Sequence, residues 1–156
     1  MKHLSLALAV VTLSLGCALG VDTKVKVSSE AAEHQFLNSP GRTDNNPYST
    51  AVRVGDTLYI SGNIGIDPET GRPPETIEEE VRLVMDDIKQ ALDLADMTTD
   101  DLVMVQVFCS DVSLYDAFNS TYRTYFSDHF PARAFLGSGP LLRGARFEVN
   151  GIAVKQ

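Results

Sequence analysis

The amino-acid sequence predicts an α+β sandwich with helices packed on one face of a sheet. Three observations carry that expectation. A capped, amphipathic helix lies mid-chain, Val-rich β-type runs flank it, and a Gly-Asp pair between two short runs suits a hairpin. Read in order the elements run β-β-α-β-α-β-β, the arrangement of a sheet covered by helices.

The first two strands are residues 49–54 and 57–61, joined by Gly55-Asp56, a two-residue turn that needs positive φ at glycine. Asp67-Pro68-Glu69-Thr70-Gly71 is a turn cluster, and Pro73-Pro74 extends the loop. Thr76 and Glu79 then form a capping box, and Glu78 to Glu80 suit the positive end of the helix dipole. Behind them Ile77, Val81, Val84, Ile88, Leu92 and Ala95 recur at spacings of three and four, one apolar stripe. Leu102–Cys109 reads as a strand. Ser113 with Asp116 opens a second helix, whose stripe is Leu114, Phe118, Tyr122 and Tyr125 or Phe126, and which Pro131 ends. Residues 133–136 and 146–154 are the last strands, separated by the Gly/Pro-rich loop 137–144.

Ahead of this domain (residues 35–156) stand two segments of different character. Residues 1–20 hold one charge, Lys2, then an apolar run and Ala18-Leu19-Gly20, which fits the small-residue rule for signal-peptide cleavage after Gly20. The expectation is an exported protein, periplasmic or secreted. A lipoprotein signal with Cys17 as the lipidated residue, and an uncleaved membrane anchor, are the alternatives; the apolar run is short for spanning a bilayer. Residues 21–34 are polar and non-periodic and read as a flexible leader. Cleavage leaves Cys109 as a lone cysteine within an apolar run, a buried strand thiol rather than a disulfide partner. The mature domain is then held by its core and by partner subunits.

Charge and motif bound the chemistry. With 156 residues the chain has room for one domain. Its 13 Lys+Arg against 21 Asp+Glu give a net charge of −8 and no basic run, which disfavours nucleic acid and, unless Cys17 is lipidated, membranes as partners. A small anion would bind only at a locally placed Arg. No Cys/His/carboxylate cluster has metal-ligand spacing, so neither metal nor cofactor is expected. Gly137-Ser138-Gly139 lacks the Lys-Ser/Thr of a phosphate loop and reads as a turn.

Two residues remain for function. Arg133 follows Phe130-Pro131-Ala132 and emerges at a strand boundary, where a guanidinium can grip a carboxylate bidentately; a surface salt bridge is the alternative. Glu148 lies among Phe147, Val149, Ile152 and Val154. There it is either a half-buried carboxylate fitted for proton transfer or an exposed strand residue.

Taken together, six segments resemble the Rid/YjgF family, from about Phe36 to Lys155. They are Asn46-Pro47-Tyr48-Ser49, the stretch from Gly55-Asp56 to Ser61-Gly62, and Asp67-Pro68-Glu69-Thr70-Gly71. The others are Phe118-Asn119-Ser120-Thr121-Tyr122, Phe130-Pro131-Ala132-Arg133, and Phe147-Glu148-Val149 running to Ile152-Ala153-Val154. The resemblance implies a chorismate-mutase-like fold, with helices on one face of a mixed sheet, assembled as a homotrimer with clefts between subunits. It implies hydrolysis of 2-imino acids to 2-keto acids and ammonia without a cofactor, or, alternatively, a trimer that binds a small carboxylate without turnover. On this resemblance Arg133 clamps the substrate carboxylate and Glu148 directs the water, while Tyr48, Ser61, Gly62 and Asn119 line the pocket. Asn119 also opens an Asn-Ser-Thr glycosylation sequon, which a position inside the cleft would close to modification. The family's deaminases with strongest activity carry cysteine two places after the arginine; Phe135 stands there and would shape the pocket floor.

Overall fold

The computed structural model describes residues 32–43 and 45–156, so the signal segment 1–20 and leader residues 21–31 lie outside the described residues. Six strands form one mixed sheet: β1 (His34–Leu37), β2 (Ala51–Val54), β3 (Thr57–Ile64), β4 (Leu102–Cys109), β5 (Ala132–Gly137) and β6 (Phe147–Val154). Their order across the sheet is β1-β2-β3-β6-β4-β5, antiparallel throughout except for the β4–β5 pair. Helices α1 (Ile77–Asp93) and α2 (Tyr115–Tyr122) pack on each other. The first lies against β3 and β6, and Phe118 of α2 meets Phe147 of β6, so both cover one face.

The local signals work as expected. Gly55 sits at φ 59° in the β2–β3 turn. Thr76 Oγ1 accepts from the Glu79 N–H at 3.2 Å and donates to Glu79 Oε2 at 2.9 Å, which satisfies an otherwise orphaned donor at the start of α1. Val81, Val84, Ile88, Leu92 and Ala95 are all buried, and they share one core with alternate residues of the sheet, Val105 and Val107 on β4 and Phe147 and Val149 on β6. The Phe118 ring lies tilted 5.0 Å from Phe147 and stacks 5.4 Å from Tyr122. Cys109 is buried and donates its thiol to the Asp111 carbonyl at 2.9 Å, and burial raises its pKa.

Two features exceed the sequence pattern. Strand β1 is an additional edge strand, paired with β2 from His34–Val54 to Leu37–Ala51. Strand β3 runs on past residue 61 to Ile64 through a bulge between Ile60 and Asn63 that contains Ser61 and Gly62. The second helix begins with a 3-10 turn, Val112–Leu114, capped by the Asp111 carboxylate on the Ser113 N–H at 2.9 Å.

Glu80 corrects the reading of the first helical turn. It is fully buried, not a solvated partner of the dipole. Its carboxylate pairs with the Arg146 Nε and accepts the backbone N–H of Arg146 at 2.6 Å and of Phe147 at 3.2 Å. The same guanidinium donates to the carbonyls of Pro74, Glu75 and Thr76. One ion pair thus ties the entrance of α1 to the entrance of β6. Gly65 makes room for it: a Cβ there would collide with the Glu80 backbone carbonyl.

Candidate functional site

Strand register decides where the functional side chains point. Arg133 on β5 pairs with Val105 on β4, whereas Glu148 on β6 pairs with Phe108 on β4. Residues 105 and 108 are an odd number apart, so their side chains leave opposite faces of the sheet. Val105 is buried under the helices and Phe108 is not. Arg133 therefore projects to the helix side and Glu148 to the open side. One copy of the chain does not bring these two residues together.

On the helix side Arg133 enters a frame of four rings. Its guanidinium carbon lies 4.6 Å from the ring centre of Tyr122, 5.7 Å from Tyr115 and Phe135, and 5.9 Å from Phe118. The α2 rings are positioned by helical spacing, since residues 115, 118 and 122 fall on one side of α2. Phe135 reaches the same place two residues along β5 and closes edge-on against Tyr115 at 5.0 Å and Phe118 at 5.5 Å. Its ring is turned into this aromatic cluster beneath the guanidinium. Among the described residues the ion pairs are Arg82–Glu78 and Arg146–Glu80, and no carboxylate reaches Arg133. The buried Tyr122 hydroxyl lacks a hydrogen-bond partner of regular geometry. Burial pushes that phenol up to about 12, a rise that the nearby Arg133 charge partly offsets. Beside these groups opens a cavity of about 200 Å³ lined by Asn119, Tyr122, Arg123, Phe130, Pro131 and Arg133. Asn119 is buried on α2, which leaves no room for a glycan on its sequon.

The other expected residues gather around β3. Glu148 is half-buried and lies directly on the bulge: a Cβ added to Gly62 would fall on its carboxylate, 3.0 Å from Cδ and closer to Oε1. Glycine at 62 is what lets the carboxylate lie over the strand. Ser61, its neighbour in the bulge, donates its hydroxyl to the Ser49 carbonyl at 2.7 Å. Ser61 and Tyr48 line a second cavity of about 350 Å³ together with Asp87 and Gln90 of α1. Tyr48 is exposed and accepts from Asn46 Nδ2 at 3.2 Å, and the Arg42 guanidinium lies 5.0 Å over its ring. Burial, reinforced by the adjacent Asp86 charge, pushes the Asp87 carboxyl up to about 6.

The candidate residues therefore form two half-sites. One joins Arg133 and Asn119 over the rings; the other joins Glu148, Gly62, Ser61 and Tyr48 at the bulge. Tyr115 and Arg123 were not marked by the sequence pattern, although Tyr115-Phe118-Tyr122 forms an aromatic row that points at whatever follows Pro131. Asp87 carried no signal, because its burial depends on the loop before β2 folding over α1.

Comparisons with known proteins agree with this architecture. Residues 40–155 match the family model described as endoribonuclease L-PSP. A RutC family protein of Sulfurisphaera tokodaii is 39% identical over 110 residues, 70% of this chain and 88% of the relative. The 2-iminobutanoate/2-iminopropanoate deaminase of Mus musculus is 36% identical over 110 residues, 70% of this chain and 82% of the enzyme. Among solved structures, the YjgF gene product of E. coli superposes with a TM-score of 0.70 at 27% identity, covering 78% of this chain and 98% of that one. RidA from a Psychrobacter species superposes with a TM-score of 0.65 at 30% identity, over 80% and 98% of the two chains.

Proposed function

The chain belongs to the endoribonuclease L-PSP family, the Rid/YjgF proteins, and from that membership we propose that it hydrolyses 2-imino acids to 2-keto acids and ammonia. The observation that carries the reading is the Arg133 guanidinium, half-buried among four rings with no carboxylate partner among the described residues. A guanidinium in that setting is a preformed receptor for a carboxylate, because its planar fork matches the two oxygens and the rings exclude competing water.

The reacting cleft lies between copies of a homotrimer, with Arg133 from one copy and Glu148 from its neighbour. Two observations support a shared cleft. The two side chains leave opposite faces of the sheet, and the open face presents Phe36, Tyr59 and Leu136 to solvent, at 67%, 49% and 40% exposure. A partner copy seated on this face would cover these side chains.

The chemistry needs no group beyond these side chains and water. Arg133 holds the carboxylate and fixes the imine carbon. Glu148 orients a water and takes its proton as the oxygen adds to that carbon, giving a tetrahedral amino alcohol. The same carboxyl returns the proton to nitrogen, then takes the hydroxyl proton as the carbonyl forms and the C–N bond breaks, and ammonia and the 2-keto acid leave. Ser61, Gly62, Tyr48 and Asn119 line the cleft. Residues 1–20 place this reaction outside the cytoplasm as a further part of the proposal, and the N-terminal sequence of the mature protein tests it: a first residue of Val21 supports cleavage after Gly20, while retention of Met1 overturns it.

The central test generates 2-imino acids in situ with an amino-acid oxidase and follows the semicarbazide-trapped imine. Accelerated loss that Glu148→Ala and Arg133→Ala both abolish supports the enzyme. A folded trimer that binds 2-keto acids but accelerates nothing overturns hydrolysis and establishes a carboxylate-binding protein instead.

A further inference from the structure

The cavity beside Arg133 carries a second cation. Arg123 caps the C-terminus of α2, one helical turn beyond Asn119, and both residues line the cavity with Tyr122 between them. The Arg123 guanidinium carbon lies 5.8 Å over the Phe130 ring, which forms the facing wall. A cation at a helix C-terminus is favoured by the dipole, and that accounts for its charge. It does not account for its partner: the guanidinium leans on the ring of the cavity wall, and among the described residues it pairs with no carboxylate.

Two guanidiniums on the wall of one cavity of about 200 Å³ repel each other unless an anion lies between them. In a chain of net charge −8, two guanidiniums on one cavity are a local excess of positive charge. A monocarboxylate satisfies Arg133 and leaves Arg123 without a partner. A short dicarboxylate satisfies both, with one carboxylate in the ring frame and the other at the more exposed mouth.

We propose that the cavity selects short-chain dicarboxylates, so that the preferred substrate is the 2-imino acid of an acidic amino acid. The proposal rests on the imine-hydrolase reading above. Arg133 takes the carboxylate next to the imine carbon, and Arg123 takes the side-chain carboxylate and determines specificity. The reaction that must supply such a substrate is the two-electron oxidation of an acidic amino acid to its imine.

Titration calorimetry of the mature protein with 2-oxoglutarate and with 2-oxobutanoate tests this, the two keto acids standing for the products of the two substrate classes. The wild-type protein binds 2-oxoglutarate about tenfold more tightly, the size expected of one added charge-assisted contact that is partly exposed. Arg123→Gln, at an exposed position, brings the ratio of affinities to near one, and Arg133→Ala weakens both acids. Equal wild-type affinities overturn the dicarboxylate inference and leave the hydrolase reading standing. A preference that survives Arg123→Gln overturns the role of Arg123. Failure of both acids to bind overturns this inference and the carboxylate site on which it rests.

Discussion

Arg146 and Arg133 are both half-buried guanidiniums at or near the start of a strand, yet they live in opposite chemical circumstances. Arg146 has a fully buried carboxylate, Glu80, and three carbonyls of the loop before α1, so every part of its fork is engaged by the protein itself. Arg133 has the rings of Tyr115, Phe118, Tyr122 and Phe135 around it and no carboxylate among the described residues. The first arrangement stabilises a fold by joining two elements that are far apart in sequence. The second holds a charge in place without neutralising it, which is what a binding site requires. Burial alone does not separate structural from functional arginines; the identity of the partner does.

Glu80→Ala is the harshest way to break the comparison. It leaves Arg146 buried without its carboxylate and two backbone N–H groups without an acceptor, and is expected to cost about 3–5 kcal/mol in chemical denaturation. Arg133→Ala reverses the pattern: about 1 kcal/mol or less of stability from lost contacts with rings, but about a hundredfold loss of affinity for 2-keto acids by calorimetry. Comparable destabilisation by the two variants would erase the distinction drawn here. Gly62→Ala sharpens it at the other half-site. The new methyl displaces the Glu148 carboxylate, a flexible group, so on the hydrolase reading turnover is expected to fall about tenfold while the melting temperature moves little.

Asp87→Asn has the smallest expected effect. The Asp87 carboxyl rises from its ordinary 3.8 to about 6, chiefly through burial, so the native state favours its protonated form. Its contribution is therefore most favourable below pH 3.8 and is lost as pH rises through about 6. Asn at this position is expected to stabilise the protein at pH 7 by about 1 kcal/mol, after allowing for solvent screening of a partly exposed group. Urea midpoints measured at pH 4 and pH 7 check it: the gain belongs to the higher pH only, and an equal gain at both removes the titration from the explanation.

Much of the fold was legible because its signals are local. The Gly55-Asp56 turn, the Thr76–Glu79 cap and the stripe of α1 each need only a few neighbouring residues. What was not legible depends on distant pairing. The four residues of β1 are mostly exposed and show no alternation, so only their register with β2 makes them a strand. Glu80 sits on the apolar stripe, three residues after Ile77, but its partner is 66 residues away, so it read as a dipole-facing surface charge. Arg133 and Glu148 were both found from their sequence surroundings. That they face opposite ways was not, because facing is a property of the β4 register, which composition does not encode.

That opposition has a consequence for inheritance. On the shared-cleft reading, Arg133→Ala and Glu148→Ala are each inactive alone, since every cleft lacks the same group. Unfolded and reassembled together, they form mixed trimers in which about a quarter of the clefts receive both intact residues by random assortment. Two inactive proteins would then recover activity on mixing, and two defective alleles in one cell would complement each other.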